Sequence, residues 1–369
     1  MEEIDLQRRR VRTRRLNDGE AWWEPFDEVV IATGASPIRP NLPGAEAAGI
    51  YGLAILEDGA RIREAVDRDA SKRAVVVGGG YIGLEMAEAL VMRGLQVALV
   101  ERGPAVMGTL DPDMGELVSQ ALRDVGVVLY LEESVKGFET RNGAIADVVT
   151  DGRTLPADIV ILGIGTRPNI GLAVAAGVPL GDTGAIKIND RMQSAVEGVW
   201  AAGDCAEAFH LVRRRPVNIA LGTIANKQGR ICGINLGAGY ATFPGVVGTA
   251  VSKICAVEVA RTGLNEREAA ELGLQYVVGK IESTTRASYF PGAGKITVKM
   301  MAERGSGRLL GAQIVGIEGA AKRIDVIATA LFGHLTVQDF MYLDLSYAPP
   351  FAPVWDPVLI AARKAAEQL

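Results

Sequence analysis

Ala74-Val75-Val76-Val77-Gly78-Gly79-Gly80-Tyr81-Ile82-Gly83 is the stretch on which the fold turns. Four small or β-branched apolar residues in a row read as a strand buried on both faces. They run straight into glycines spaced G-x-G-x-x-G, and a helix over 84–92 follows. In that pattern Gly78 permits a tight turn, Gly80 lets backbone amides approach a pyrophosphate, and Gly83 lets the helix pack against the strand. The helix N-terminus supplies partial positive charge to phosphates. Gln96-Val97-Ala98-Leu99-Val100-Glu101 is the next strand, completing a βαβ unit. A carboxylate at Glu101 accepts hydrogen bonds from an adenosine ribose, worth roughly 1.5–3 kcal/mol for a charged acceptor. The same charge repels a 2′-phosphate, which favours NADH over NADPH, while Arg102 beside it leaves dual use open.

Working outward, Phe26-Asp27-Glu28-Val29-Val30-Ile31-Ala32-Thr33-Gly34 reads as a buried strand that reaches a ligand edge in small residues. The pattern returns in Ala157-Asp158-Ile159-Val160-Ile161-Leu162-Gly163-Ile164-Gly165. Each copy follows a hairpin with an Asn-Asp-Gly (17–19) or Asn-Gly (142–143) turn, which makes a weak internal repeat. The fingerprint lies ahead of the second copy. The same spacing counted back from Gly34 falls before Met1, so the chain is expected to start inside a first nucleotide-binding half. Helices are expected at 59–68 and 112–124, and strands at 135–140 and 144–149. From Phe243 onward the strands 246–262, 276–290, 295–302 and 308–317 alternate with helices near 265–272 and 319–332, as in an α+β domain.

The composition bounds the function. At 369 residues the chain holds two or three domains. A net charge of −5, from 39 basic and 44 acidic residues, argues against nucleic-acid binding. Three cysteines, none in a C-x-x-C pair, point to a reducing compartment. The two histidines, His210 and His334, exclude a histidine-rich metal site, and no metal is expected. The start has no signal-peptide pattern, and no apolar run reaches the ~18 residues of a membrane span. A soluble, cytoplasmic protein is expected.

Further along, Gly203-Asp204 ends a small-residue strand, where the carboxylate serves either sugar-like hydroxyls or the cap of a helix. Cys205 reads as a packing cysteine, with Cys232 in a helix and Cys255 in a strand as core residues. The run Arg213-Arg214-Arg215 reads as a solvated loop rather than an anion site. Tyr289 precedes Phe290-Pro291-Gly292, and Tyr347 precedes Ala348-Pro349-Pro350. On their own residues, both tyrosines pack on turns.

Together these motifs resemble the flavoprotein pyridine nucleotide–disulfide oxidoreductases, in the branch of CoA-disulfide reductases, NAD(P)H sulfur oxidoreductases and NADH oxidases. The resemblance is carried by Ile31-Ala32-Thr33-Gly34-Ala35, the fingerprint with Leu84-Glu85-Met86-Ala87-Glu88, Gly163-Ile164-Gly165-Thr166-Arg167-Pro168-Asn169, Ala201-Ala202-Gly203-Asp204-Cys205, Ala225-Asn226-Lys227-Gln228-Gly229-Arg230 and Tyr347-Ala348-Pro349-Pro350. It implies an α/β fold of two Rossmann-like nucleotide-binding domains, the first incomplete, plus a C-terminal α+β dimerisation domain. The expected bounds are 1–45 and 167–242 for the two FAD-binding parts, 46–166 for the NAD(P)H-binding domain and 243–369 for the interface domain.

The resemblance also implies roles. Asp204 with Gly203 would bind the flavin ribityl chain, and Thr33 and Gly34 would line the FAD site. Leu221, Gly222 and Thr223 would lie near the isoalloxazine. Tyr81 would cover the nicotinamide side of the flavin, with Ile82 beside it in the fingerprint, Glu85 near the nicotinamide and Gly165 against NAD. Tyr289 and Tyr347 would face the active site of a homodimer partner. The implied reaction passes a hydride from NAD(P)H, with NADH preferred, to FAD, and then electrons through a cysteine to CoA disulfide, polysulfide, peroxide or oxygen. An NADH oxidase or peroxidase, or a non-catalytic NADH-binding dimer module, are the alternatives. Neither a first glycine fingerprint nor a cysteine at the redox position is found, since Cys205, Cys232 and Cys255 do not match it. Weak FAD retention and no disulfide reductase activity are the corresponding expectations.

Overall fold

Arg73–Val77 is the central strand of a five-stranded parallel sheet in the computed structural model, which describes residues 1–68 and 72–369. The sheet runs in the order Ile50–Gly52, Ile159–Leu162, Arg73–Val77, Gln96–Val100, Val128–Tyr130, and each neighbouring pair is parallel. Side chains alternate between faces along a strand. Ala74 and Val76 join a core with Leu84, Ala87 and Leu90 of the helix Tyr81–Met92 and with Met114, Val118 and Leu122 of the helix Pro112–Asp124. Val75 and Val77 join a second core with Phe138, Ile145, Val148 and Leu155. Those four residues belong to an antiparallel meander, Val135–Arg141, Ala144–Thr150 and Thr154–Pro156. Burial on both faces is why the strand is a continuous apolar run.

The chain leaves Arg73–Val77 outward to Gln96–Val100 and Val128–Tyr130, then returns to the other side of the central strand as Ile159–Leu162. A topological switch point therefore lies between Arg73–Val77 and Ile159–Leu162, where ligands bind in open parallel sheets. The helix after the fingerprint starts at Tyr81, earlier than the glycines suggest. Gly80 is its N-cap in an extended conformation, and the Leu84 amide donates to the Gly80 carbonyl at 3.0 Å.

The C-terminal part of this unit is an antiparallel sheet in the order Ala250–Ile254, Val257–Gly263, Leu309–Gly316, Lys295–Glu303, Tyr276–Thr284. The stretch 246–262 is thus a hairpin rather than one strand. Cys255 sits in its turn with φ +52, not in a strand, and is buried there. The helix Pro357–Ala366 lies so close to Tyr276–Thr284 that a Cβ on Gly279 would stand 2.1 Å from the Ala361 carbonyl. Asp356 caps this helix, accepting from the Val358 amide, with Pro357 at its first turn.

Lys299 joins the two parts of the unit. Its side chain is 4% exposed, and its ammonium lies 3.0 Å from Asp111, 2.8 Å from Asp113 and 2.5 Å from Glu266. Burial disfavours its charge, yet the three carboxylates outweigh that and raise its pKa. Burial likewise pushes Asp113 up, but Lys280 and Lys299 hold its carboxyl below the ordinary value. Gln313 completes the cluster, donating to Asp111 at 2.6 Å.

Residues Met1–Ser36 and Thr166–Val246 form the other compact unit. It opens with an antiparallel meander, Glu3–Asp5, Arg10–Arg14 and Ala21–Pro25. Val29–Ile31 then pairs in parallel with Val199–Ala201, over a core of Ile4, Val11, Ile186, Cys205 and Ala206. The Cys205 thiol is fully buried and faces the Ile31 and Ala202 carbonyls, as a packing cysteine should. The helix Gly222–Leu236 contributes Ile224 and Cys232 to a neighbouring core with Trp200 and Phe243. Arg213 and Arg214 lie in the turn between Ala208–His210 and Arg215–Val217. Both units thus hold a meander, then a parallel strand, then a left-handed glycine: Gly34 at φ +65 and Gly165 at φ +99. The repeat read in the sequence has this structural content. No helix among the described residues is long and apolar enough to cross a membrane.

Removing Lys299 strands buried Asp111, whereas Lys280 holds Asp113 at a half-exposed site. Lys299→Met is expected to cost about 3–5 kcal/mol, and Lys280→Met less than about 1 kcal/mol. Urea unfolding of the two variants measures the difference.

Candidate functional site

Three glycines meet at the switch point with no room for a side chain. A Cβ on Gly78, whose φ is +100, would stand 2.6 Å from the Gly163 carbonyl. One on Gly83 would stand 2.0 Å from the Gly78 carbonyl, and one on Gly163 would stand 2.8 Å from the Gly83 Cα. Gly80 differs: a Cβ there would meet nothing closer than the Gly163 carbonyl at 3.7 Å. Gly80, half-buried, thus has room around its backbone beside the crevice. The helix Tyr81–Met92 carries no side-chain cap and no acidic residue in its first turn, so its first amides point into that crevice uncompensated.

Glu101 stands at the rim. One carboxylate oxygen accepts from the Gly79 amide at 2.7 Å and the other from the Gly103 amide at 2.8 Å. The Met107 amide donates to the Gly79 carbonyl at 2.7 Å, so the loop after Glu101 braces the fingerprint. Tyr81 reaches across to Thr109, hydroxyl to hydroxyl at 3.4 Å, and Ile82 follows it in the first turn. The Thr109 carbonyl in turn accepts from Arg261 at 2.8 Å and from Asn265 at 3.2 Å. Glu85 accepts from Ser252 at 2.6 Å, and Glu88 from the Cys255 amide at 2.8 Å. Gly165 follows the neighbouring strand, and its carbonyl accepts from the Ile38 amide at 2.9 Å.

A second group lies in the unit formed by Met1–Ser36 and Thr166–Val246. Asn169 staples the Thr33–Gly34 loop: Thr33 donates to its carbonyl at 2.5 Å, its side chain donates to the Thr33 carbonyl at 2.9 Å, and its amide donates to the Gly34 carbonyl at 2.9 Å. Gly203 has φ +82, and its amide donates to the buried Gln228 side chain at 2.8 Å. Burial pushes the Asp204 carboxyl up. Its side chain does not cap the following helix; Leu221 is the N-cap of Gly222–Leu236, without a side-chain bond. Thr223 and Gly222 open that helix with no acidic residue in the first turn, so it too offers uncompensated amides.

The third group is Tyr289 and Tyr347, which the fold brings together from distant stretches. The Ala287 amide donates to the Pro349 carbonyl at 3.2 Å. A hydrogen bond with Tyr289 raises the Tyr347 phenol above the ordinary tyrosine value. Tyr289, Tyr342 and Phe351 are each about three-quarters exposed on the same domain.

Asn169, Gln228, Thr109 and Arg261 are the site-supporting residues that the sequence reading left out. Asn169 and Gln228 belong to the motifs 163–169 and 225–230, but nothing local marks their side chains as staples. Among the described residues, Asp111, Asp113 and Glu266 form the one acidic group that converges as a metal site would, and Lys299 already occupies its centre.

A profile of the pyridine nucleotide-disulphide oxidoreductases matches residues 1–229, and one of their dimerisation domain matches residues 249–357. This chain belongs to the pyridine nucleotide-disulphide oxidoreductase family. Its relatives include an NAD(P)H sulfur oxidoreductase (CoA-dependent) from Pyrococcus abyssi, 41% identical over 98% of this chain and 80% of that protein. An NADH oxidase from Methanocaldococcus jannaschii is 36% identical over 95% of this chain and 78% of that protein. Among solved structures, an NAD-dependent persulfide reductase from A. fulgidus superimposes with a TM-score of 0.96 at 39% identity, over 99% of this chain and 68% of that one. The C-terminal antiparallel sheet with its helices is accordingly the family's dimerisation domain.

The glycine geometry separates two roles. Gly83→Ala is expected to lower stability by about 3 kcal/mol or more, through the clash with the Gly78 carbonyl. Gly80→Ala is expected to stay within about 1 kcal/mol of the parent, because it is an open, extended N-cap. Thermal and urea melts of both variants check this.

Proposed function

We propose that this chain is an FAD-dependent NAD(P)H oxidoreductase, with NADH preferred, of the kind that reduces a small sulfur acceptor such as CoA disulfide or polysulfide, the redox cysteine being none of its three buried cysteines. The observation that carries the nucleotide half is the crevice at Gly80. The residues there suit a pyrophosphate: room at the Gly80 backbone, and a helix N-terminus with neither a side-chain cap nor an acidic residue in its first turn. Glu101, already oriented by the Gly79 and Gly103 amides, keeps lone pairs for a ribose and repels a 2′-phosphate. The second group suits a flavin. Asp204 offers a partly desolvated carboxylate to hydroxyls, and the uncapped helix Gly222–Leu236 offers amides to an electron-rich ring edge.

Bound flavin would supply the hydride acceptance and the onward electron transfer. The protein's own part is to hold, orient and shield. Tyr81 and Glu85 lie on the first turns of the nucleotide-binding helix, where they would border the nicotinamide. Residues 46–166 would form the NAD(P)H-binding domain and 243–369 the homodimer interface. The acceptor half rests on the Tyr289–Tyr347 pair and on relatives whose names are sulfur oxidoreductase and persulfide reductase. An exposed phenol pair held together can donate hydrogen bonds to a thiolate leaving from a disulfide.

The test is turnover of NADH by the purified, flavin-loaded protein with CoA disulfide, polysulfide, oxygen and peroxide. Reduction of a sulfur acceptor at least about tenfold faster than of oxygen supports the proposal. Preferential reduction of oxygen or peroxide makes the chain an NADH oxidase or peroxidase instead, and turnover of none makes it a nucleotide-binding dimer module. Two variants probe the cradle. Gly80→Ala should weaken NADH binding about 10- to 100-fold while leaving the melt near the parent's. Glu101→Ser should lose roughly tenfold or more in NADH affinity, from a charged hydrogen bond, and gain affinity for NADPH. Fluorescence titrations with the two nucleotides read both effects.

A further inference from the structure

We propose that Arg323 is the positioning residue that sets Tyr289 and Tyr347 against each other, one guanidinium tying the loop that bears the first to the tail that bears the second. Its effect on acceptor reduction rests on the function proposed above, but the tie itself does not. One terminal nitrogen, Nη2, donates to the Thr285 carbonyl at 2.8 Å and to the Phe351 carbonyl at 3.0 Å. Thr285 closes the base of the Tyr289 loop, its amide donating to the Gly294 carbonyl at 2.8 Å. Phe351 lies just past Tyr347 and the two prolines. The other terminal nitrogen, Nη1, donates to the Gly319 carbonyl. Nε lies 3.0 and 3.3 Å from the two oxygens of Asp356.

The two charged side chains are 11% and 12% exposed, so this pair is desolvated and the fork is fixed in direction. Asp356 is itself held, because it caps the helix Pro357–Ala366 that is packed on Gly279. The guanidinium is therefore anchored at the helix cap and reaches the two tyrosine-bearing segments by their backbones. The Ala287–Pro349 backbone bond and the phenol contact are what that clamp sets. The remaining charged side chains at the Tyr289 loop, Arg286 and Glu318, pair with each other at 3.7 Å and do not bridge to the tail. A lysine could keep the charge opposite Asp356 but could not fork to both carbonyls.

The test compares Arg323→Lys, Asp356→Asn and Tyr289→Phe with the parent protein by ultraviolet titration of tyrosine ionisation. The Tyr347 step is identified by its loss in Tyr347→Phe. The clamp predicts that Arg323→Lys lowers this step to where Tyr289→Phe leaves it, and that Asp356→Asn lowers it part of the way. In turnover, kcat with the sulfur acceptor should fall roughly 10- to 100-fold, as for a misplaced reacting group, with KM for NADH unchanged. A folded Arg323→Lys or Asp356→Asn that keeps the parent's step overturns the proposal. If the step moves while Tyr289→Phe and Tyr347→Phe leave acceptor reduction intact, the clamp stands and the acceptor role of the tyrosines falls. Should both clamp variants fail to fold, hydrogen exchange on the parent decides. The Ala287 amide should then exchange only with global unfolding, and local exchange there contradicts the clamp.

Discussion

The contact on which the rest of the structure depends is the one between Gly83 and the Gly78 carbonyl. A methyl group at Gly83 would lie 2.0 Å from that oxygen, so the helix can approach the central strand only as glycine on glycine. That approach places the first turn of Tyr81–Met92 over the end of Arg73–Val77, at the point where the sheet order reverses. It leaves room at the Gly80 backbone and turns Glu85 and Glu88 towards the hairpin of the dimerisation domain. A single steric constraint thus fixes where an anion can sit and which helix face is left for interdomain contacts.

A second constraint couples that site to the dimerisation domain. The loop at residues 105–111 leans on the fingerprint from one side, through the Met107 amide, and is gripped from the other by Arg261, Asn265 and the Lys299 cluster. Asp111 is nearly inaccessible and Lys299 equally so, which makes this join costly to break once one charge loses its partner. The crevice at the fingerprint is therefore braced by residues that sequence distance would never associate with it.

This division explains what the sequence could tell. The fingerprint, the parallel strands and the repeated strand-to-glycine pattern are local, with periodicities of two and three to four residues, so they were legible from 74–83, 29–34 and 159–165. The helix start was read late because Gly80 caps without a side chain. Cys255 reads as a strand residue because the turn, Cys255-Ala256, is apolar and holds no glycine, and Cys255 itself is buried. The staples Asn169 and Gln228 and the clamp Arg323 were not legible as such. Asn169 reaches the Thr33 carbonyl, Gln228 the Gly203 amide and Arg323 the Thr285 carbonyl, all distant in sequence, and a backbone partner leaves no mark in the residue types.

We take the crevice between Arg73–Val77 and Ile159–Leu162 to be a dinucleotide site shaped by this glycine contact. A crystal structure of the protein with NADH bound tests it most directly. The pyrophosphate is expected against the amides of residues 80–82 and the adenosine ribose on Glu101. NADH bound elsewhere, with those amides facing only water, would contradict it.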